Sequence, residues 1–362
     1  MALPFPVASR VSDREAFDLG TYTLGANNIT VNPQIIPAVG WLKSILIEVT
    51  GTVSGGTSPA YTADAPWNAI AIANFRTASG NDLVVPYTGY QLYLANKYGG
   101  YKVSGDQRNP AVYTATTSAF HFFLRVPLEI DPVTGLGAIP AMASNRSYLL
   151  NLTLAAASTV MTGGPTITVA LKAYSEFWLE PAGQTSGGTA QATMPQGVGT
   201  ISKWELENPS VNPGDRLVKF NNVGNVLRTH IFVARNSSGV RISDGNGWPS
   251  SGEIQLYLDN EIQFAFTPHI WQLYMAEWFG YNSATYDAYN GFDTGVYVIP
   301  WHALNGAHAG DPNNTRSQLL PTLNASQVQL RATFGSSISS LEIMTNSVVP
   351  AAGTGFAALF SK

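Results

Sequence analysis

Histidine is the residue type in this chain best suited to catalysis or metal binding, because imidazole titrates near neutral pH and binds transition metals. His302 and His308, with Asp311, are spaced so that they could share a metal ion. The cupin pattern of two His separated by one residue, a Glu and a later His is absent. We therefore predict no metal site. His121 and His230 lie in strand patterns and are predicted to be packed or partnered core histidines.

Paired carboxylates and an acidic loop are the other groups that could do chemistry. Glu205 and Glu207 could form the carboxylate pair of a glycosidase, but their segment is typical of a strand end or turn. Asp244, Asn246 and Glu253 loosely resemble a calcium-binding loop, although the spacing of an EF-hand is not met. We predict neither a catalytic pair nor a bound cation here.

The nucleotide and nucleophile motifs of common enzymes are missing from the sequence. There is no G-x-S-x-G elbow, no P-loop and no dinucleotide fingerprint, since the Gly135–Gly137 segment lacks the third glycine. The chain contains no cysteine, which excludes disulfides, thiolate zinc sites, iron–sulfur clusters and a cysteine nucleophile. We therefore predict that the protein is not an enzyme and binds no cofactor.

The composition indicates a folded protein with an unusually low content of charged residues. Of the 362 residues, 45% are hydrophobic and only 12% are charged, with a net charge of −4. Charge keeps monomers soluble, so this low value fits an assembly subunit whose surfaces are covered by neighbours, and it fits a secreted-type β-protein equally well. A free-standing nucleic-acid binder would need a basic face, which the sequence does not offer. No signal peptide and no membrane-spanning segment is predicted.

The elements that must position these residues are predominantly strands. Short runs rich in β-branched and aromatic residues, many alternating in polarity, are bounded by Gly, Pro, Asn and Ser. The predicted strands are Trp41–Val49, Asp82–Tyr87, Tyr90–Ala95, Ala119–Val126, Ser147–Ala155, Pro165–Phe177, Leu217–Phe220, Val226–Ala234, Glu253–Leu258, Glu261–Phe266, Gly295–Ile299, Gln327–Phe334 and Ser340–Thr345.

Two helices are also predicted. Thr267 can cap the longer one, Pro268 occupies its first position and Gly280 ends it, with apolar residues at helical spacing between them. The shorter one is predicted near Ser12–Phe17, where a serine and a glutamate have capping-box spacing.

The chain divides into two β-domains of similar length. Residues 181–199 are small, polar and uncharged, which predicts a linker. Residues 1–20 are then an N-terminal arm, residues 21–180 the first domain and residues 200–362 the second. Three pairs of segments recur in the same order at offsets of roughly 173 to 185 residues, which favours a tandem duplication. The pairs are WLKSILIEV with VLRTHIFVA, FFLRVPLEIDPVTGLGAIP with TGVYVIPWHALNGAHAGDP, and SYLLNLTLA with SQVQLRATF.

The order of these elements resembles that of a known family over about Phe17 to Thr345. The chain is similar to the double jelly-roll major capsid proteins of the PRD1/tectivirus-like phage lineage. The segments that carry the resemblance are Gly40–Thr50, Phe123–Ala155, Tyr174–Pro181, Ile201–Gly239, Thr267–Phe279 and Gly295–Trp301.

This resemblance implies an all-β fold of two tandem eight-stranded jelly rolls with few short helices. It implies a structural protein that forms pseudo-hexagonal homotrimers in an icosahedral virion around an internal lipid membrane. The implied partners are further copies of the chain in the trimer and in neighbouring capsomers, penton and minor capsid proteins, and the viral inner membrane. No sequence-specific nucleic-acid binding is implied. The protein would be made in the host cytoplasm and end in the virion.

In this sequence, 16 residues precede the part that resembles the family, and the resemblance implies no counterpart here to the family's longer helical arm. Ordinary solvated charge is the favoured interpretation of Arg10 and Arg14, and an arm that faces the anionic headgroups of the membrane is the alternative.

Two other functions stay open. One is a carbohydrate-binding β-sandwich, such as a phage spike or receptor-binding protein, although the eight Trp are spread along the chain as packing residues would be. The other is the same fold in a different viral lineage, including lineages with single-stranded DNA genomes.

Overall fold

The computed structural model describes residues 12–36, 40–77, 79–99, 119–130, 135–141, 147–178, 200–221, 223–242, 251–279, 293–304 and 319–349. Their strands are β1 Ser12–Thr23, β2 Ile29–Thr30, β3 Gln34–Ile36, β4 Trp41–Ser54, β5 Ala60–Tyr61, β6 Ile70–Thr77, β7 Asp82–Tyr87, β8 Phe120–Pro127, β9 Ile139–Pro140, β10 Tyr148–Leu154, β11 Met161–Thr162, β12 Thr166–Trp178, β13 Ile201–Glu207, β14 Gly214–Phe220, β15 Val226–Arg235, β16 Ser251–Leu258, β17 Glu261–Phe266, β18 Val296–Ile299, β19 Leu320–Pro321, β20 Val328–Phe334 and β21 Ser340–Val349. Their helices are α1 Gly89–Tyr98, α2 Ala157–Val160, α3 Pro268–Phe279 and α4 Trp301–Leu304.

The strands form two sandwiches with the same internal order. The first sandwich, β1 to β12, has one sheet ordered β1-β12-β4-β8 and another ordered β7-β6-β10-β2, with β3 also on β10. The second sandwich, β13 to β21, has sheets ordered β13-β21-β15-β18 and β14-β20-β16-β17. When the eight main strands of each sandwich are counted from its start, both have the orders 1-8-3-6 and 2-7-4-5.

The burial of the strands shows how they are packed. In β10, YLLNLTL, buried and half-buried side chains alternate, as expected for a strand with one face on a core. In β15, VLRTHIFVAR, every side chain is buried, so both faces of this strand are covered. One face packs inside the second sandwich, and the other lies against the first sandwich.

A single cluster of buried apolar side chains runs through both sandwiches. It includes Phe75 and Tyr87 from the first sandwich, and Trp204 and Phe232 from the second. Packed side chains connect the two interiors without interruption, so the two sandwiches share one hydrophobic core.

The prediction of a predominantly β protein is confirmed, and so is the longer helix, since α3 begins at Pro268 and ends at Phe279. The three pairs of similar segments occupy equivalent places, because they contain β4 and β15, β8 and β18, and β10 and β20 respectively. The predicted linker, residues 181–199, lies outside the described residues. Within the described residues, no helix is long and apolar enough to cross a membrane.

The strand predicted at Tyr90–Ala95 is wrong, because these residues lie in α1. Thr88 caps this helix: its hydroxyl accepts from the backbone N–H of Gln91 at 3.2 Å, and the Gln91 side chain accepts from the N–H of Thr88 at 2.9 Å. Nearly all of α1 is buried, so no polar face revealed a helical period in the sequence.

The helix predicted at Ser12–Phe17 is also wrong, because β1 runs through these residues. Its backbone pairs antiparallel with β12, from Ser12 opposite Trp178 to Thr23 opposite Thr168. Local capping signals are weak compared with the pairing of a long edge strand.

Candidate functional site

The best-built polar site in the described residues is the junction, the contact between the first and second sandwiches. In the junction, the edge strands β7 and β13 form a parallel bridge between Val84 and Trp204. The hydroxyl of Tyr87 donates to the backbone oxygen of Glu205 at 2.8 Å, and the rings of Tyr87 and Trp204 meet edge to face at 6.2 Å. The bridge joins one sheet of each sandwich into a continuous ten-stranded sheet.

Helix α1 lies beside this bridge, between the two sandwiches. On the side of the first sandwich, Asn96 exchanges two hydrogen bonds of 2.7 Å with the backbone of Arg125 on β8. On the other side, the fully buried carboxylate of Asp293 accepts from Lys97 at 2.7 and 3.0 Å and from the hydroxyl of Tyr98 at 2.7 Å. The helix is therefore held by both sandwiches at once.

A chain of alternating charges lies further along the junction. Asp64 of the first sandwich accepts from Arg241 at 2.8 Å and lies 3.0 Å from Arg235. Arg235 also donates to Glu342 at 2.6 Å, and Gln91 of α1 donates to Glu342 at 3.3 Å. Burial lowers the pKa of Arg235, but the two carboxylates outweigh burial and raise it above its ordinary value. Each of these four charges thus has an opposite charge within reach.

Two more arginine contacts complete the junction. Arg228, fully buried in the middle of β15, donates to the backbone oxygen of Gly99 at 2.6 Å, where α1 ends. A cation near the C-terminus of a helix also favours the helix dipole. The guanidinium of Arg241 lies 4.7 Å from the ring centre of Tyr90. This arrangement is suited to fixing one angle between two rigid bodies.

Several solved structures of other proteins have a similar architecture. No protein-family model and no curated protein sequence matches the chain. Among solved structures, the major capsid protein of Sulfolobus turreted icosahedral virus superposes with a TM-score of 0.64 at 13% identity, over 94% of this chain and 97% of that one. The major capsid protein P2 of bacteriophage PM2 gives 0.52 at 11% identity, over 94% and 99%. The capsid structure of PBCV-1 gives 0.60 at 10% identity, over 93% and 94%.

At these identities the similarity establishes the fold, and it agrees with the strand order repeated in the two sandwiches. The chain is a double jelly roll. The predicted fold class, two tandem eight-stranded jelly rolls with few short helices, is confirmed.

Two histidines of the second sandwich, His302 and His230, are buried and bonded to neighbouring side chains. His302 is fully buried, bonded to the hydroxyl of Thr229 at 2.8 Å, and burial holds its pKa well below the ordinary value. Burial also lowers the pKa of His230 to about 3, and its Nδ1 accepts from Trp301 at 3.2 Å. His308, the predicted companion of His302, lies outside the described residues. No group of three metal-ligating side chains occurs among the described residues.

His121 differs from its expected core position, because its side chain is 44% exposed on the outer face of β8. It is partnered, as the alternative prediction had it, with Glu48 at 2.9 Å. The hydroxyl of Tyr174 donates to the same Glu48 at 2.7 Å, and this bond lowers the pKa of the carboxyl. These groups form a surface cluster on the outside of the double jelly roll.

The carboxylates of the proposed glycosidase pair lie on one face of β13. Glu205 forms an ion pair with Lys203, and Glu207 accepts from the backbone and side chain of Asn221 at 3.2 and 3.0 Å. Burial raises the pKa of Glu207. Both groups are occupied by structural neighbours.

The structure describes only part of the acidic loop and of the N-terminal arm. Asp244 and Asn246 lie outside the described residues, whereas Glu253 accepts from Gln255 at 2.9 Å. Arg10 also lies outside them. The backbone of Arg14 pairs with Glu176 in β1 and β12.

The junction itself was not predicted from the sequence. Its one visible signal is the pair of arginines, Arg228 and Arg235, inside the otherwise apolar strand β15. A buried strand carries such charges only when another part of the protein pairs them.

Proposed function

We propose that this chain is a major capsid protein that builds the shell of a virion. The observation that carries the proposal is the duplicated jelly roll, fused through the junction into one body, with the fold of three viral capsid structures. In this role the protein is structural, not catalytic. The charged groups of the junction support this, since they bind one another across the two sandwiches.

The proposed building unit is a homotrimer. Three copies contribute six similar sandwiches, so a threefold object presents a nearly sixfold outline and can tile a lattice as a pseudo-hexagon. The low content of charged residues, 12%, also suits a protein whose flanks are covered by neighbouring copies. Penton and minor capsid proteins would fill the remaining positions of an icosahedral virion after synthesis in the host cytoplasm.

The membrane part of the proposal concerns Arg10 and Arg14. Their guanidinium groups would meet anionic lipid headgroups on the inner side of the shell. Changing both to Glu should leave trimers intact but lower the yield of assembled particles. A normal yield of infectious particles would remove this part of the proposal.

Light scattering on the purified protein tests the building unit. The monomer mass is 38.7 kDa, and a stable trimer would measure three times that, about 116 kDa. Electron microscopy of the concentrated trimer should then show sheets or shells. A monomer at all concentrations would contradict the proposal. Binding to a glycan array by that monomer would favour the carbohydrate-binding alternative.

A further inference from the structure

Helix α3 of the second sandwich exposes two large apolar side chains to solvent. Trp271 and Met275 bury the inner face, while Ile270 and Leu273 on the outer face are 47% and 65% exposed. The outer face also carries the exposed side chains of His269 and Glu277, so it is mixed in polarity. Two large apolar side chains exposed on one helix face are typical of a surface that a partner covers.

The helix equivalent to α3 in the first sandwich is α1. Each helix follows the fifth strand of its sandwich, β7 or β17, and each is preceded by a threonine. The backbone oxygen of Thr88 accepts from the N–H of Leu92 at 2.9 Å, and that of Thr267 accepts from Trp271 at 3.0 Å. These bonds fix the register: Leu92 corresponds to Trp271, and the offset is the same along both helices.

In this register, the exposed residues of α3 match buried residues of α1. Ile270 corresponds to Gln91, which is 4% exposed and bonded to Glu342. Leu273 corresponds to Leu94, which is 0% exposed. The face that the second sandwich covers on α1 is thus the face left open on α3.

The chain also carries a surface equivalent to the one that covers α1. That surface is the sheet β13-β21-β15, and its equivalent in the first sandwich is β1-β12-β4. Both sheets have a bulge at the same place, where the pairing skips Arg228 in one and Lys43 in the other. Arg228 binds the end of α1, whereas the half-buried Lys43 lies over the ring of Trp178 at 3.9 Å.

The edge strands agree with this correspondence. In the junction, β7 pairs with β13. Their equivalents, β17 and β1, each end a sheet, with one paired edge and one open edge among the described residues.

We propose that α3 and β17 of one copy dock on the β1-β12-β4 face of a second copy, repeating between chains the junction that the chain makes within itself. The partner is a second copy, because the complementary surface lies on this same chain. Such a head-to-tail contact uses different surfaces on the two copies, so it can close into a ring. The inference rests on the proposed assembly and names its contact surface.

Substituting the outer face of α3 tests the contact. In the Ile270→Asp and Leu273→Asp double variant we expect the dissociation constant of the assembly to rise at least about 100-fold, since two apolar side chains lose their burial. Leu217→Asp is the matched control, because Leu217 is 54% exposed on β14, at the opposite edge of the sheet from β17. Light scattering should show wild-type mass for the control and monomers for the double variant. An unchanged mass for the double variant would overturn the inference.

Cysteine labelling gives a second readout, with a change that introduces no charge into the contact. The chain has no native cysteine, so Leu273→Cys and Leu217→Cys each introduce a single thiol. In the assembled protein, a maleimide should react with the thiol at position 217 and not with that at position 273. Labelling of both in a stable trimer would overturn the inference while the proposed function stands. A wild-type protein that never leaves the monomeric state would instead contradict the proposed assembly itself.

Discussion

Removing one charge from the junction should destabilise the whole protein. The change is Asp293→Asn, which keeps the size of the side chain and one acceptor oxygen. In the native protein the carboxylate is fully buried and accepts from Lys97 and from the hydroxyl of Tyr98. The Lys97 side chain is only 11% exposed, so water can solvate its ammonium group little once the opposite charge is gone.

The magnitude follows from the burial of the pair. Breaking a buried ion pair by removing one partner costs about 3–5 kcal/mol, and the slight exposure of Lys97 favours the lower end, about 3 kcal/mol. Replacing both members, in Asp293→Asn with Lys97→Met, removes the buried charge as well. We therefore expect the double variant to be more stable than Asp293→Asn alone, with a coupling energy of about 2 kcal/mol.

Urea denaturation at one fixed protein concentration measures these free energies of unfolding, because assembly would otherwise shift the apparent stability. The control is Asp215→Asn, whose pair with Arg331 is about half exposed on both sides, and it should unfold like the wild type. A loss below about 1 kcal/mol for Asp293→Asn would refute the reasoning. So would strictly additive effects of the two substitutions.

Two further predictions concern pH and close packing. Because burial lowers the pKa of His230 to about 3 while an unfolded histidine titrates near 6.5, its contribution is present above pH 6.5 and is lost as the pH falls towards 3. At pH 4.5 the protonation of His230 in the unfolded state lowers the free energy of unfolding by about 2.7 kcal/mol. His230→Phe should therefore lose about 2.7 kcal/mol less of this free energy than the wild type between pH 7.5 and pH 4.5. An equal loss in both proteins would contradict this prediction. A Cβ on Gly89 would lie 1.9 Å from the backbone oxygen of Trp67, so Gly89→Ala should cost about 1–3 kcal/mol in a thermal melt. Gly25→Ala, with nothing within 4 Å of the added Cβ, should melt like the wild type, and equal melting of the two variants would show that α1 can shift freely.

The strands could be predicted from the sequence because their signals are local. Asp82–Tyr87 and Glu261–Phe266 were predicted with the bounds of β7 and β17, since each run is short, apolar and bounded by turn residues. The duplication was visible for the same reason, as equivalent strands keep similar patterns. A strand was predicted at Tyr90–Ala95 in place of the helix α1. Because α1 is buried on almost every side, its sequence shows no polar residues at helical spacing.

The junction could not be predicted because its contacts join residues far apart in the chain. Lys97 meets Asp293, and Asp64 meets Arg241, across about half of the sequence. The sequence around one partner of such a pair contains no pattern that identifies the other partner. Only the arginines within β15 hint that something must pair with them.

The chemistry of the two equivalent faces differs in a way that fits their proposed roles. On α1 the junction face carries Gln91 and Lys97, and on α3 the corresponding residues are Ile270 and Ala276, although Tyr98 corresponds to the charged Glu277. Within the chain the sandwiches are already held at high effective concentration, so polar contacts can serve to set the angle between them. Separate copies have no such help, and their contact needs apolar burial to supply the free energy of association. The substitution of apolar residues at the outer face of α3 is what a contact between chains requires.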